Sequence, residues 1–341
     1  MKVMEYTNDQ YGVKFSKDGK VLFQCPETFQ GEYNIPNGVT CIETRAFINC
    51  VGLSAVTIPD SVECIHSQAF EGCTSLTSVQ MTDSVKSIRE RAFDGCRSLV
   101  SVRLSNSLLM LPRRLFEGCA SLTSIKIPDS VKLIRDWAFL GCENLTEISL
   151  PRDLNHISET SGNSGGQVFD GCKNLMAFIV GEDNLKYCAI DGVLFSKDKK
   201  TLVRYPMARK GEYTIPNGVA TIGVEAFGKC GGLTSVSFPE GVKTISRQAF
   251  SECDRLTSIL LPKTIEHIGG RAFEECWRIE SVSFSSPAEI NGNAFLNCKS
   301  LTSISYPKEH MDEFKRMCRS LRNRGIDAFK GCTSLELNID D

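Results

Sequence analysis

A phenylalanine at a fixed interval is the feature that most limits what this chain can fold into. It recurs at steps of 23 residues in each half, with one final step of 22: Phe47, Phe70, Phe93, Phe116 and Phe139, then Phe227, Phe250, Phe273 and Phe295. A cysteine follows three residues after each of these, and also after Phe169 and Phe329. Copies of such a unit bury a continuous core only by stacking on one another, so the period predicts a solenoid.

Each unit also contains a strand pattern. In LTSIKIP, residues 122–128, the apolar residues fall at Leu122, Ile125 and Ile127. This spacing predicts one short β-strand per repeat, and stacking places successive strands in a parallel sheet about 4.8 Å apart. A proline often follows the strand, as Pro128 does here, and ends pairing because it has no amide proton to donate.

The full unit, I-P-D-S-V-x-x-I-x-x-x-A-F-x-G-C-x-S-L-T-S-I, resembles the bacterial surface antigen A (BspA) type of leucine-rich repeat, a 23-residue class of gut and oral bacteria and some protists. The resemblance covers roughly residues 31–341. It implies an α/β repeat solenoid: a right-handed superhelix with one parallel strand per repeat and irregular or short-helical convex segments. It also implies protein-binding or adhesion roles.

A second, longer symmetry divides the array. The segment from Lys14, KFSKDGKVLFQ, aligns with the one from Leu194, LFSKDKKTLVR, at an offset of 180 residues, and each alternates apolar residues around a turn. Each therefore predicts a β-hairpin insertion. We expect a hairpin cap at 1–30, a first repeat array at 31–181, a hairpin insertion at 182–213, a second array at 214–306, and a helix insertion with a cap repeat at 307–341.

Two further irregularities interrupt the period. The Ser/Gly-rich stretch SETSGNSGG, residues 158–166, predicts a mobile surface loop. Between residues 309 and 325, apolar residues change to helical spacing, with Met311, Phe314, Cys318 and Leu321 on one face. The opposite face is rich in Lys and Arg, and either faces solvent or forms a basic docking site.

Charge and hydropathy exclude several partner classes. The formal net charge is -2, from 39 basic and 41 acidic residues, which does not favour nucleic acid or an anionic membrane. No apolar run is long enough to span a bilayer, so no membrane insertion is expected. The start, MKVMEYTNDQYG, lacks a signal pattern. The sequence as written predicts a cytoplasmic monomer; a cell-surface or secreted location applies if an upstream signal has been removed.

We find no catalytic constellation. The histidines His66, His156, His267 and His310 occupy unrelated positions and are interpreted as surface residues, so neither a metal nor a cofactor is predicted. GVEAFGK, residues 223–229, matches part of a phosphate loop, but Cys230 follows where Ser or Thr would bind magnesium. An enzyme would need a cleft at the hairpin insertion near residues 181–213. The prediction is that the chain is not an enzyme.

The cysteines are likewise interpreted as structural residues. There is no C-x-x-C pair, and eleven of the sixteen cysteines share the repeat position described above. A buried thiol behaves as a small hydrophobe, which predicts a structural ladder of free thiols. Cys41 and Cys64 are also 23 residues apart but lie outside the ladder beside polar residues. They are the pair best placed to oxidise, and whether they are bridged stays open.

The outward position of each strand lies between its last two apolar residues. In the first array these residues are Thr57, Gln80, Arg103, Lys126 and Ser149, and Arg89 and Arg113 on the connecting segments extend the basic character. They are either a solvated face with balanced charges or a docking patch for an acidic protein or a glycan. We predict a non-enzymatic module that presents a rigid concave sheet to a protein partner. The alternative is a secreted or cell-surface adhesin that binds host matrix proteins or glycans.

Overall fold

The computed structural model describes residues 6–158 and 165–336. The chain forms two compact units: unit 1 comprises Met1–Thr160 with Gln167–Lys186, and unit 2 comprises Ser161–Gly166 with Tyr187–Asp341. The loop predicted at 158–166 lies largely outside the described residues, since positions 159–164 are not among them.

Unit 1 is built almost entirely of short strands. In chain order they are β1 Tyr6–Asn8, β2 Lys14–Ser16, β3 Val21–Gln24, β4 Gln30–Asn34, β5 Cys41–Ile42, β6 Gly52–Thr57, β7 Cys64–Ile65, β8 Ser78–Gln80, β9 Ser87–Ile88, β10 Ser101–Arg103, β11 Met110–Leu111, β12 Leu133–Ile134, β13 Glu147–Leu150, β14 His156–Ile157 and β15 Ala177–Val180. A short helix, α1 Gly165–Phe169, precedes β15.

Unit 2 repeats the pattern and adds a longer helix. Its strands are β16 Tyr187–Ile190, β17 Val193–Ser196, β18 Thr201–Arg204, β19 Gly211–Thr214, β20 Thr221–Ile222, β21 Leu233–Ser237, β22 Thr244–Ile245, β23 Ser258–Leu261, β24 His267–Ile268, β25 Ser281–Phe284, β26 Glu289–Ile290 and β27 Ser303–Ser305. A 3-10 turn at Lys308–His310 leads into α2, Met311–Asn323.

The predicted leucine-rich-repeat solenoid is confirmed, with one difference in its detail. Each typical repeat carries two parallel strands: the expected strand of three to six residues, and a second of two residues, such as β7 or β22. The second strand ends in a buried aliphatic residue that recurs with the period, as Ile42, Ile65 and Ile88 do. Because the repeats stack in register, even two extended residues per repeat pair with the next repeat, so a ladder forms where irregular or helical segments were expected.

The 23-residue step sets the register. Val56 on β6 lies opposite Val79 on β8, and Ile42 on β5 lies opposite Ile65 on β7. One-residue slips would turn the buried side chains of a strand outward, so the apolar pattern holds every strand to the same alignment.

The phenylalanine anchors stack along the core. In unit 1 their ring centroids lie 4.9 to 5.8 Å apart from Phe47 to Phe169, with nearly parallel planes. In unit 2 the distances from Phe227 to Phe295 are 4.6 to 5.2 Å. All of these rings are fully buried. Each ring therefore removes a large apolar surface from water and contacts the repeats on both sides.

The cysteine ladder is confirmed as a row of buried free thiols. Each typical thiol donates to the carbonyl of the phenylalanine in the preceding repeat: Cys96 to Phe70 and Cys142 to Phe116 at 3.2 Å, and Cys276 to Phe250 at 3.0 Å. The thiol thus fills a small apolar site and pairs a buried carbonyl.

A left-handed residue precedes each of these cysteines. In the middle of unit 1 it is glycine, with φ of 72° at Gly95 and Gly141, whereas Asn49 and Asn297 hold the same position at 54° and 60°. The conformation reverses the chain before the cysteine. A Cβ on Gly141 would meet only ordinary contacts, the nearest being the Gly118 backbone at 3.7 Å, so backbone strain alone decides which residues suit this position.

Replacing Gly141 with valine should therefore lower the free energy of unfolding by about 1–2 kcal/mol, the cost of a left-handed L-residue. Gly141→Asn is the matched control and should cost less, because asparagine tolerates this region. Urea denaturation of the three proteins measures the difference. Equal stability of the valine and asparagine variants would contradict the assignment.

Both predicted hairpins are present. Strands β1, β2 and β3 are antiparallel neighbours, and so are β16, β17 and β18. The turns are equivalent, since Ser16 Oγ donates to Asp18 and Ser196 Oγ donates to Asp198, both at 2.6 Å. In each copy the last strand then pairs in parallel with the first two-residue strand of its array. The hairpin therefore supplies the edge on which the repeats begin.

The helix predicted at 309–325 is present as α2. Its buried residues are Phe314, Cys318 and Leu321, at the predicted helical spacing. Arg316, Arg319 and Arg322 are exposed, and Arg322 lies 3.5 Å from Asp327. The amphipathic pattern thus fixes which face packs on the core of unit 2.

Candidate protein-binding surface

One outward side chain from each repeat forms a row on the long-strand sheet of unit 1. Thr57 pairs with Gln80, Gln80 with Arg103, Arg103 with Lys126 and Lys126 with Ser149. All five are exposed. We call them the strand row. The structure therefore brings these five predicted residues together in consecutive register positions.

Ionic contacts differ between the two cations of the strand row. The Arg103 guanidinium lies 3.3 Å from Asp83 and also donates to the Met81 carbonyl. Asp83 is itself held by the Asn106 amide at 3.0 Å. Lys126 has no carboxylate within ion-pair distance in the parts of the chain that the structure describes. Lys126 is thus the cation of the row whose charge is least compensated.

Arg89 and Arg113 do not join the strand row. Each follows a two-residue strand, β9 or β11, on the other row of strands. The Arg113 guanidinium lies 4.1 Å from the centroid of the Trp137 ring, and Arg114 lies 4.9 Å from it, so both cations stack on one indole. Arg113 also borders a depression of about 260 Å³ whose lining is polar: Arg45, Gln68, Glu90, Arg91, Arg113 and Arg114.

Carboxylates are interleaved with these arginines. Glu117 lies 3.2 Å from Arg114. Burial, followed by the neighbouring Glu117 and Glu71, raises the pKa of Asp94 to about 6. Cations and carboxylates therefore lie side by side on this surface.

A break in the two-residue strands opens a groove. Elsewhere the amide after such a strand donates to the previous repeat over 2.7 to 3.0 Å, as from His66 to Ile42, Arg89 to Ile65 and Arg135 to Leu111. Position 112 is proline, which has no amide proton to donate to Ile88. Strands β9 and β11 accordingly lie in different sheets.

The resulting groove has a volume of about 470 Å³. Its lining includes Leu109 and Met110, which are 61% and 40% exposed, with the basic side chains of Lys86, Arg89 and Arg135 around them. Adjacent exposed apolar side chains within a charged rim are typical of a contact site for another molecule. Neither the groove nor its apolar residues were predicted from the sequence; the proline at a strand-end position is the signal that could have indicated them.

His66 is a candidate site residue that the sequence does not indicate. It was placed among unrelated surface histidines, yet its ring is only 33% exposed and lies between Cys41 and Glu43. Cys41 and Cys64 are joined as a disulfide with their Cα atoms 4.9 Å apart, which answers the question left open for this pair. The 23-residue offset between Glu43 and His66 could have indicated their pairing.

The helices were compared with the requirements of a membrane span. Within residues 6–158 and 165–336, none combines the length with the apolar composition that a bilayer requires.

A family model matches most of this chain. The model for the BspA type leucine rich repeat region matches six copies, over residues 20–108, 63–196 and 210–336. The chain belongs to the BspA-type leucine-rich repeat family. The stacked phenylalanines and the cysteine ladder lie within the residues that the BspA-type model matches. None of the curated proteins compared with this chain matches it.

Solved structures agree with the BspA-type assignment. A leucine rich cell surface protein from Faecalibacterium prausnitzii is 26% identical, with 96% of this chain and 98% of that chain covered and a TM-score of 0.66. A leucine-rich repeat protein from Bacteroides ovatus is 25% identical over 98% of both chains, with a TM-score of 0.52. The pneumococcal vaccine antigen PcpA, at 22% identity, 90% and 82% coverage and a TM-score of 0.68, shows the fold alone.

Proposed function

We propose that this BspA-type chain is a non-enzymatic module that binds a protein partner through the strand row of unit 1. The observation that carries the proposal is the register: five consecutive repeats present one exposed side chain each at the same height on one sheet. Because pairing already fixes the backbone of this row, little backbone conformational entropy is lost on binding, which favours affinity.

The chemistry of the row fits a partner with exposed carboxylates. Lys126 offers the least compensated charge, and Arg103 could exchange its contact with Asp83 for one with the partner. The polar side chains of Thr57, Gln80 and Ser149 can donate or accept hydrogen bonds on either side. Electrostatic complementarity of this kind acts mainly on specificity and association rate.

The groove between β9 and β11 is a second contact region within the same proposal. Leu109 and Met110 supply apolar surface, which the strand row lacks, and Arg89 stands at the rim. Binding energy at protein interfaces concentrates where an apolar group fills a pocket away from water. We therefore expect a partner side chain of aliphatic or aromatic type to occupy this groove.

A non-enzymatic role is supported by what fills the irregular region near residues 181–213. Val193, Leu194, Phe195 and Leu202 of this segment are fully buried. The hairpin insertion is thus packed as core, which favours a structural role for the one segment where a catalytic cleft was weighed.

Charge reversal on the strand row tests the binding surface. The double variant Arg103→Glu and Lys126→Glu should weaken capture of the partner from an extract of the source cells by about ten-fold or more, because it places like charges against the partner's carboxylates. The matched control reverses two exposed cations of unit 2, Arg255→Glu and Lys299→Glu, and should leave capture unchanged. Equal capture by both double variants and the parent chain would exclude the strand row.

Location on the cell surface is a second candidate, favoured by one comparison. The Faecalibacterium prausnitzii protein, similar over nearly all of this chain, is described as a cell surface protein. If the same holds here, protease added to intact source cells should degrade the chain. Degradation only after lysis would instead assign it to the cell interior, as a scaffold.

A further inference from the structure

Four side chains with complementary chemistry meet on two neighbouring strands of unit 1. Cys41 on β5 lies directly opposite Cys64 on β7, and the next outward positions, two residues on, are Glu43 and His66. Residues two apart on a strand share a face, so the four form a compact square: two sulfurs on one side, a carboxylate and an imidazole on the other.

The distances within this square are those of a ligand set. His66 Nε2 lies 3.5 Å from Cys41 Sγ. The two sulfurs and a ring nitrogen of His66 all lie within 4.8 Å of one another. Two thiolates and one imidazole are ligands that zinc takes in proteins, with one position of the tetrahedron left for another ligand.

Glu43 orients the histidine for this task. Its Oε1 lies 2.8 Å from His66 Nδ1. The Thr44 amide donates to the same oxygen over 2.8 Å, so the carboxylate is held where it can accept the Nδ1 proton. A ring that donates from Nδ1 and binds a metal does so through Nε2, the atom directed at the sulfur. A carboxylate behind a ligating histidine is the usual support of a zinc site.

Exposure separates these cysteines from the ladder. Cys41, Cys64, Glu43 and His66 are all partly exposed, whereas the ladder thiols are buried. A reductant or a metal ion can therefore reach this square without opening the core.

The repeat itself does not require these residues. In unit 2 the equivalent positions, 180 residues later, are Thr221, Gly223, Thr244 and Ser246, and Thr221 pairs with Thr244 as Cys41 pairs with Cys64. The same backbone is thus formed without any sulfur, carboxylate or imidazole at this place.

We propose that the dithiol form of this square binds a zinc-class divalent ion through Cys41, Cys64 and His66 Nε2, and that the disulfide is its closed, metal-free form. An external dithiol opens the site: it passes two electrons and two protons to the Cys41–Cys64 disulfide and is oxidised to its own disulfide. The ion then binds as the two thiols release two protons. An external disulfide reverses the step: it takes two electrons from the two thiolates and two protons from water and becomes a dithiol, while the Cys41–Cys64 disulfide forms again and the ion is released. The site therefore responds to the thiol redox state.

Cobalt binding tests the site, because Co²⁺ in a tetrahedral thiolate site gives visible d–d bands and a sulfur-to-cobalt charge-transfer band. The chain is reduced with a phosphine, freed of it under anaerobic conditions, and titrated with Co²⁺. We expect one Co²⁺ per chain, displaced by one Zn²⁺, and no charge-transfer band in the oxidised chain.

Variants taken from unit 2 keep the test independent of folding. Cys64→Thr and His66→Ser install the residues that the equivalent positions of unit 2 already accommodate. Cys64→Thr should abolish the charge-transfer band, His66→Ser should weaken binding about 100-fold, and Glu43→Gln about 10-fold. Cys188→Ser and His267→Ala, which alter a half-buried thiol and an exposed imidazole of unit 2, are controls that should bind like the parent chain.

Three results would overturn the proposal: no charge-transfer band in the reduced parent chain, a band that persists in Cys64→Thr, or loss of the band in Cys188→Ser. Circular dichroism of each variant confirms that the solenoid is intact.

Discussion

Replacing Phe139 with alanine should lower the free energy of unfolding by about 3–5 kcal/mol. The ring is fully buried and stands between two others, with centroids 5.8 Å from Phe116 and 5.8 Å from Phe169. Truncation removes the transfer free energy of the ring, leaves a cavity between repeats, and ends two stacking contacts at once. No neighbouring side chain can fill the space without leaving its own repeat position.

Urea denaturation followed by circular dichroism measures this loss. Phe139→Leu keeps much of the volume and should cost clearly less than the alanine variant. Val100→Ala, at the 47% exposed position just before β10, should change stability by no more than about 0.5 kcal/mol. An alanine variant as stable as Val100→Ala would show that the phenylalanine stack does not hold the repeats together.

The thiols of the folded chain should be almost inert to a disulfide reagent. Of the fourteen free cysteines, thirteen are buried, and Cys188 alone is partly exposed. The thiolate is the reacting form, and burial raises the pKa of Cys142 and Cys119 well above its ordinary range. We therefore expect about one fast equivalent from the native chain, from Cys188, and all fourteen after denaturation.

A stopped-flow titration with a chromogenic disulfide, with and without guanidinium, measures both numbers. Cys188→Ser should remove the fast phase and leave the denatured count one lower. Reaction of ten or more thiols within the fast phase of the native chain would contradict the buried ladder.

The cysteine ladder illustrates how far repetition carries a prediction. Taken alone, Cys142 could have been a nucleophile, a ligand or half of a disulfide. Ten equivalents at the same distance from an aromatic anchor indicate packing, because a repeated array places like residues in like surroundings and catalysis needs unlike ones. The hydrogen bond from each thiol to a phenylalanine carbonyl is the detail that only coordinates supply.

The contacts of surface side chains were less predictable, because they do not follow the repeat. The sequence leaves open whether a carboxylate balances Arg103; in the structure Asp83, twenty residues earlier, lies within 3.3 Å of it. Arg89 and Arg113, which the sequence assigns to connecting segments, follow strands of the other row. A side chain's position in the repeat is periodic, whereas its ionic partners depend on which residues the neighbouring repeats happen to carry.

The amino-acid sequence by itself determined the solenoid, the identity of its buried rows, the hairpins and the amphipathic helix, because each follows from the spacing of apolar residues along the chain. Tertiary structure alone decided which polar residues meet across repeats: the Cys41, Glu43, Cys64 and His66 square, the pairing of Arg103, and the groove that Pro112 opens. Apolar burial depends on a period that every repeat shares. Polar chemistry depends on individual side chains 20 to 23 residues apart, and their distances exist only once the repeats have stacked.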